Sequence, residues 1–109
     1  MRKKLPWLLL GLWIAAILVP AAMAADAGKV VYDKNCASCH GPDGKGNPAM
    51  TKVFGEKELN IATKETAGKK DAELVKVITE GRGKMPASGK SLNKQEQKQL
   101  VEHVRSLAK

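Results

Sequence analysis

The sequence predicts an all-α fold built as one small domain. Three segments, near residues 26–36, 71–81 and 93–108, place apolar residues at helical spacing behind residues suited to start a helix. No stretch alternates apolar and polar residues in the way a half-buried strand would. At 109 residues, the length suits a single domain.

The first helix is expected to begin near Asp26, an N-cap residue type, and to run toward Cys36. Gly28, Tyr32 and Cys36 follow one another at four-residue steps and share a face. The second begins near Asp71, carries Leu74, Val75 and Ile78 on one side, and stops at Gly81. The third opens on Asn93 with Glu96 three positions later, the pattern of a capping box. Its apolar stripe is Leu100, Val101, Val104, Leu107 and Ala108. Between the first two helices, residues 41–48 (GPDGKGNP) are rich in turn formers. Residues 49–70 read mostly as loop, with room for a short helical turn.

The N-terminus has a different character. Met1-Arg2-Lys3-Lys4 is basic, Leu5 to about Val19 is uncharged and apolar, and Ala22-Met23-Ala24 supplies small residues at alternate positions. This is the layout of a secretory signal peptide. The apolar run is shorter than the ~20 residues a membrane-spanning helix needs. The expected division is a leader over 1–24, cleaved after Ala24, and a domain over 25–109 in the periplasm. The alternative is an uncleaved tether that holds the domain at the membrane, facing the periplasm.

Composition adds a physical requirement. Trp7 and Trp13 both lie in the leader, which leaves Tyr32 and Phe54 as the aromatics of residues 25–109. A small domain this poor in large apolar side chains needs added apolar volume or a staple. The chain carries 19 Lys and Arg against 11 Asp and Glu, and only three of the basic residues belong to the leader. The positive excess solvates the surface or steers an acidic partner. Nucleic acid is excluded as a partner by the export signal, the scarcity of aromatics and the lack of any recognition motif.

The chemistry concentrates in Cys36-Ala37-Ser38-Cys39-His40. A Cys-x-x-Cys-His run is the attachment signature of c-type haem. Two thiols so spaced reach the two vinyl groups on neighbouring porphyrin edges, and the next residue offers its imidazole to the iron. Cys36 and Cys39 are therefore the expected thioether positions and His40 an axial ligand. Three rival readings suit the same residues less well. A disulfide suits an exported chain. A redox dithiol wants a βαβ setting. A zinc site wants more ligands, with only His103 in reserve.

With these residues in view, positions 25–109 resemble a class I c-type cytochrome of the small bacterial kind. The likeness rests on the helix carrying Gly28 and Tyr32 into the haem motif, on Gly81-Arg82-Gly83-Lys84-Met85-Pro86-Ala87, and on the closing Val104-Arg105-Ser106-Leu107. It implies a cytochrome c fold of three to four helices wrapped around one covalently attached haem c. It also implies that the terminal helices cross, with a glycine at Gly28 allowing close approach. Met85, in the segment resembling the family's sixth-ligand loop, is the expected second iron ligand, while Met50 reads as core filling. A thioether opposite an imidazole raises the potential, because soft sulfur favours ferrous iron.

The resemblance further implies that a proline carbonyl accepts the other ring N–H of His40, and Pro48 is the matching candidate. Leu59, Asn60 and Ile61 resemble a segment near the haem's lower edge. His103 stands where relatives often carry an aromatic residue, and is expected to pack against the first helix or the haem edge. The function implied is a monomeric one-electron carrier of a respiratory chain, not an enzyme. It would serve redox partner proteins with acidic docking surfaces, membrane complexes among them, through Lys34, Lys45, Lys84 and Lys90. A haem enzyme or gas sensor with a labile sixth ligand is the alternative.

Overall fold

The computed structural model of the protein describes residues 21–108. The basic start and apolar run of the expected leader lie outside the described residues. Among the described residues seven helices follow in order: α1 Ala21–Asn35, α2 Ala37–His40, α3 Pro48–Phe54, α4 Glu56–Leu59, α5 Lys64–Gly68, α6 Asp71–Glu80 and α7 Lys94–Leu107. Among the described residues there is no strand, only an isolated bridge between Arg82 and Met85. The all-α expectation holds. Among the described residues, no helix is long and apolar enough to cross a membrane.

Local chemistry sets the helix ends. Asn93 accepts from the Glu96 N–H at 2.8 Å, and the Glu96 carboxylate accepts from the Asn93 N–H at 3.0 Å, so the capping box is formed as read. Asp71 is not the cap of α6 but its first residue, behind Lys70. Its carboxylate is occupied by Arg105, whose Nε and Nη2 donate at 2.8 and 2.6 Å. α1 begins earlier than Asp26 because Ala21, Ala22, Ala24, Ala25 and Ala27 favour helix more than Asp26 favours a cap.

The stretch expected to be mostly loop contains three short helices. Asn47 caps α3 by accepting from the Ala49 N–H at 3.0 Å, and Pro48 takes the first helical position, where a missing N–H costs nothing. Gly55, at φ 92°, separates α3 from α4. The Thr63 hydroxyl caps α5 through the Thr66 N–H at 3.2 Å.

Helices α1 and α7 share the largest helix–helix contact of the fold. One buried cluster joins Tyr32 and Cys36 to Leu74 and Ile78 of α6 and to Leu100, Val101 and Val104 of α7. Gly28 sits at the crossing: a Cβ there would collide with the Gln99 carbonyl oxygen and lie 2.9 Å from its carbon. The absent side chain is what lets the two backbones touch. At the far end of α7, Arg105 also donates to the carbonyls of Ala67, at 3.1 Å, and Lys69, at 2.6 Å. One guanidinium thus fastens the connection between α5 and α6 to the last helix.

Candidate haem site

The Cys-x-x-Cys-His segment forms a single tight turn. The Cys36 N–H donates to the Tyr32 carbonyl at 2.8 Å, which carries the α1 ladder up to the motif, and the His40 N–H donates to the Cys36 carbonyl at 3.0 Å. Cys36 is buried, Cys39 is half-buried, and both are free thiols. Burial pushes the Cys36 thiol up to about 11. A redox dithiol needs the opposite, a nucleophile with a lowered pKa. Among the described residues, no three His, Cys, Asp or Glu side chains cluster as a zinc site would require.

The chain reverses at Gly41, φ 78°, and folds back on the motif. Gly46 and Asn47 donate to the carbonyls of His40 and Cys39 at 2.6 and 2.9 Å, and Ile61 donates to Gly44 at 2.7 Å. This layering brings residues 59–61 beneath the motif. His40 is buried, and its Nδ1 lies 2.8 Å from the Leu59 carbonyl oxygen. A carbonyl only accepts, so Nδ1 carries the proton and Nε2 keeps its lone pair for a metal.

The carbonyl partner of His40 is therefore Leu59, and the Pro48 assignment is corrected. Pro48 opens α3, so its carbonyl points along that helix and accepts from the Thr51 hydroxyl at 2.9 Å. Leu59 closes α4, and a helix's last carbonyls have no partner within the helix. The short helix flanked by Gly55 and Asn60 was the signal in the sequence, but the 19-residue span from His40 gave no local pattern to read.

A second buried bond braces the same turn. The Tyr32 hydroxyl donates to the Gly41 carbonyl at 2.6 Å. Burial also raises the pKa of the hydroxyl, keeping it protonated. Tyr32→Phe should leave that acceptor without its buried partner and cost about 1–3 kcal/mol. Guanidinium unfolding would register this as a lower midpoint with an unchanged slope.

Met85 lies in a turn closed at both ends: Arg82 and Met85 exchange N–H···O bonds of 3.1 and 2.9 Å. Gly81 (φ 80°) and Gly83 (φ 58°) permit the turn. A Cβ on Gly81 would stand 2.6 Å from the Met85 carbonyl oxygen. The half-buried Met85 packs against the cluster that contains Cys36. Beside it, the Lys84 ammonium lies 5.8 Å from the Phe54 ring centroid and links this loop to α3. Met50 lies on α3 and is half-buried. Lys34, Lys45, Lys84 and Lys90 are exposed. His103 packs on Tyr32 of the first helix, ring centroids 4.9 Å apart.

Two free thiols on one turn, an imidazole with Nε2 available and a thioether packed on the same cluster form a donor set that fits a covalently attached haem. Residues 23–104 match the family model described as cytochrome c oxidase, cbb3-type, subunit III. The chain is also 33% identical over 95 residues to a cytochrome c6 of Rippkaea orientalis, a match covering 84% of this chain and 80% of that protein.

The chain belongs to the class I c-type cytochromes.

Membership in this family implies haem c as the cofactor of the cytochrome. Other relatives are named as oxidase subunits. The cytochrome is 42% identical over 87 residues to the cbb3-type cytochrome c oxidase subunit CcoP of Azospirillum brasilense, covering 79% of this chain and 29% of that one. It is 40% identical over 85 residues to subunit FixP of Azorhizobium caulinodans, covering 77% and 27%. The cytochrome thus spans under a third of the length of these oxidase subunits. No solved structure matches it.

Proposed function

We propose that the protein is an exported, periplasmic one-electron carrier with a single haem c. Cys36 and Cys39 would hold the haem as thioethers, and His40 and Met85 would be its axial ligands. The observation that carries this reading is the convergence of the His40 turn and the Met85 turn on one buried cluster, although 45 residues separate the two in sequence. With two cysteines in the whole chain, one attachment motif accounts for one haem.

The haem, when bound, supplies a one-electron iron couple. The protein's part is positional. The Leu59 carbonyl keeps the proton of His40 on Nδ1 and sets the ring's orientation. The Met85 thioether favours the reduced state, and the turn from Gly81 to Met85 limits how far that ligand can stray. Two ligands held by these turns would change little between oxidation states, which suits one-electron transfer. The expected partners are redox proteins with acidic docking surfaces. The relatives named as oxidase subunits favour a terminal oxidase among them.

Acidified organic solvent provides the first test: haem should stay with the denatured chain, and its complete extraction would refute covalent attachment. The steering claim is tested by reversing Lys34, Lys45, Lys84 and Lys90 to Glu together. Transfer to an acidic acceptor should slow by about tenfold or more at low salt. Raising the salt should close most of that gap, because screening removes the attraction. Equal rates at low salt would show that these lysines only solvate the surface.

A further inference from the structure

The electron-transfer reading leaves His103 without a role. It lies on α7 where that helix crosses α1, with its Cβ 3.2 Å from the position a Cβ on Gly28 would take. Its ring meets Tyr32 at 53° between planes. Nε2 is sealed from solvent with no hydrogen-bond partner, the one such buried side-chain atom among the described residues. The neutral ring can leave a bare lone pair there. The imidazolium must place a charged donor there, at the cost of desolvation without an acceptor.

The surrounding charges do not rescue it. On α1, Asp33 favours the protonated ring and Lys29 opposes it, but these two are bonded to each other at 2.7 Å. The Tyr32 hydroxyl is committed to Gly41. On α6, which also packs against α7, Asp71 is taken by Arg105. On α7 itself, Glu102 is exposed and makes no bond to the ring.

We propose that His103 makes the α1–α7 crossing an acid-sensitive joint: protonating the ring forces a charged donor into a closed contact, and the two terminal helices part. Tyr32 sits in that contact and also braces Gly41, next to His40, so opening the joint loosens the proximal turn. The sign follows from burial, which lowers the ring's pKa below its ordinary 6.5. The unfolded chain therefore takes up this proton first. The contribution to stability is complete above the unfolded value and is lost as pH falls from there toward the folded one.

The chain has two histidines, and with His40 on iron His103 is the one left to titrate in this window. Guanidinium unfolding of the haem-loaded protein should be followed from about pH 7.5 to about pH 5.5. The unfolding constant is expected to rise by up to about tenfold per unit below the unfolded pKa. His103→Phe should remove that rise; the same rise in the variant would overturn the proposal. Proton NMR of the native protein gives an answer independent of how the variant folds. A folded His103 midpoint below 6.5 supports the joint, and one at or above that value overturns it. The same spectra separate His40: its titration would indict the ligand assignment and leave the His103 result standing.

Discussion

Met85→Ala is expected to lower the reduction potential by a sizeable fraction of the ~0.8 V range that axial ligands control. It should also abolish the weak methionine-to-iron charge-transfer band of the oxidised protein. The substitution has two separable effects. Met85 is half-buried against the main cluster, so truncation removes packing and costs about 2 kcal/mol, the low end for a methionine truncated in a core. Packing loss of that kind shifts the unfolding midpoint without singling out one oxidation state. Loss of a soft ligand weakens the ferrous state specifically. Met50→Ala is the control, since Met50 lies on α3 among half-buried and exposed residues. A band retained in Met85→Ala and lost in Met50→Ala would reverse the assignment.

Gly28→Ala is expected to be the most damaging single-methyl change in the domain. In most exposed helices this substitution helps, because alanine favours helix by up to about 1 kcal/mol over glycine. At residue 28 the added carbon runs into the Gln99 carbonyl, a backbone group that cannot rotate away. Helices α1 and α7 must separate, and with them the cluster holding Tyr32, Leu100 and Val104. Overpacking costs about 1–3 kcal/mol and sometimes more, and a rigid backbone obstacle belongs at the upper end. A net loss of at least about 2 kcal/mol remains after the helix gain, a large share of the 5–15 kcal/mol typical of a domain. Gly68→Ala supplies the contrast: nothing lies within 4 Å of its added carbon, so it should be neutral or slightly stabilising. Thermal or guanidinium unfolding of the pair decides the matter, and equal midpoints would mean that the crossing tolerates separation.

The parts of this molecule that were legible in its sequence are those whose cause is local. Asn93 and Glu96 satisfy each other within one turn, so the start of α7 could be read off two letters. The stripe from Leu100 to Leu107 is long enough for a period to emerge. Helices α3, α4 and α5 span seven, four and five residues, too short for a period to mark them off from loop. Their local traces are the caps Asn47-Pro48 and Thr63 and the flanking Gly55 and Asn60. The motif from Cys36 to His40 is legible by its spacing alone. Its surroundings did not, because the bond from His40 to Leu59 depends on how residues 41–62 fold back under the motif. Asp71 shows the same limit in reverse: its residue type suits a cap, but a distant arginine holds its carboxylate.

That His40 leans on a main-chain oxygen has a consequence for mutational surveys of this protein. Position 59 supplies the acceptor whatever side chain it bears, so substitutions there report on the fit of a buried leucine and say nothing about the ring's partner. The groups that matter for the proton on Nδ1 are those that shape the path of α4, beginning with Gly55 at its start and Asn60 at its end, whose side chain turns the chain by accepting from the Ala62 N–H at 3.0 Å. A survey that ranks positions by side-chain loss would class these two as ordinary loop residues, and their control of the His40 ring would escape notice.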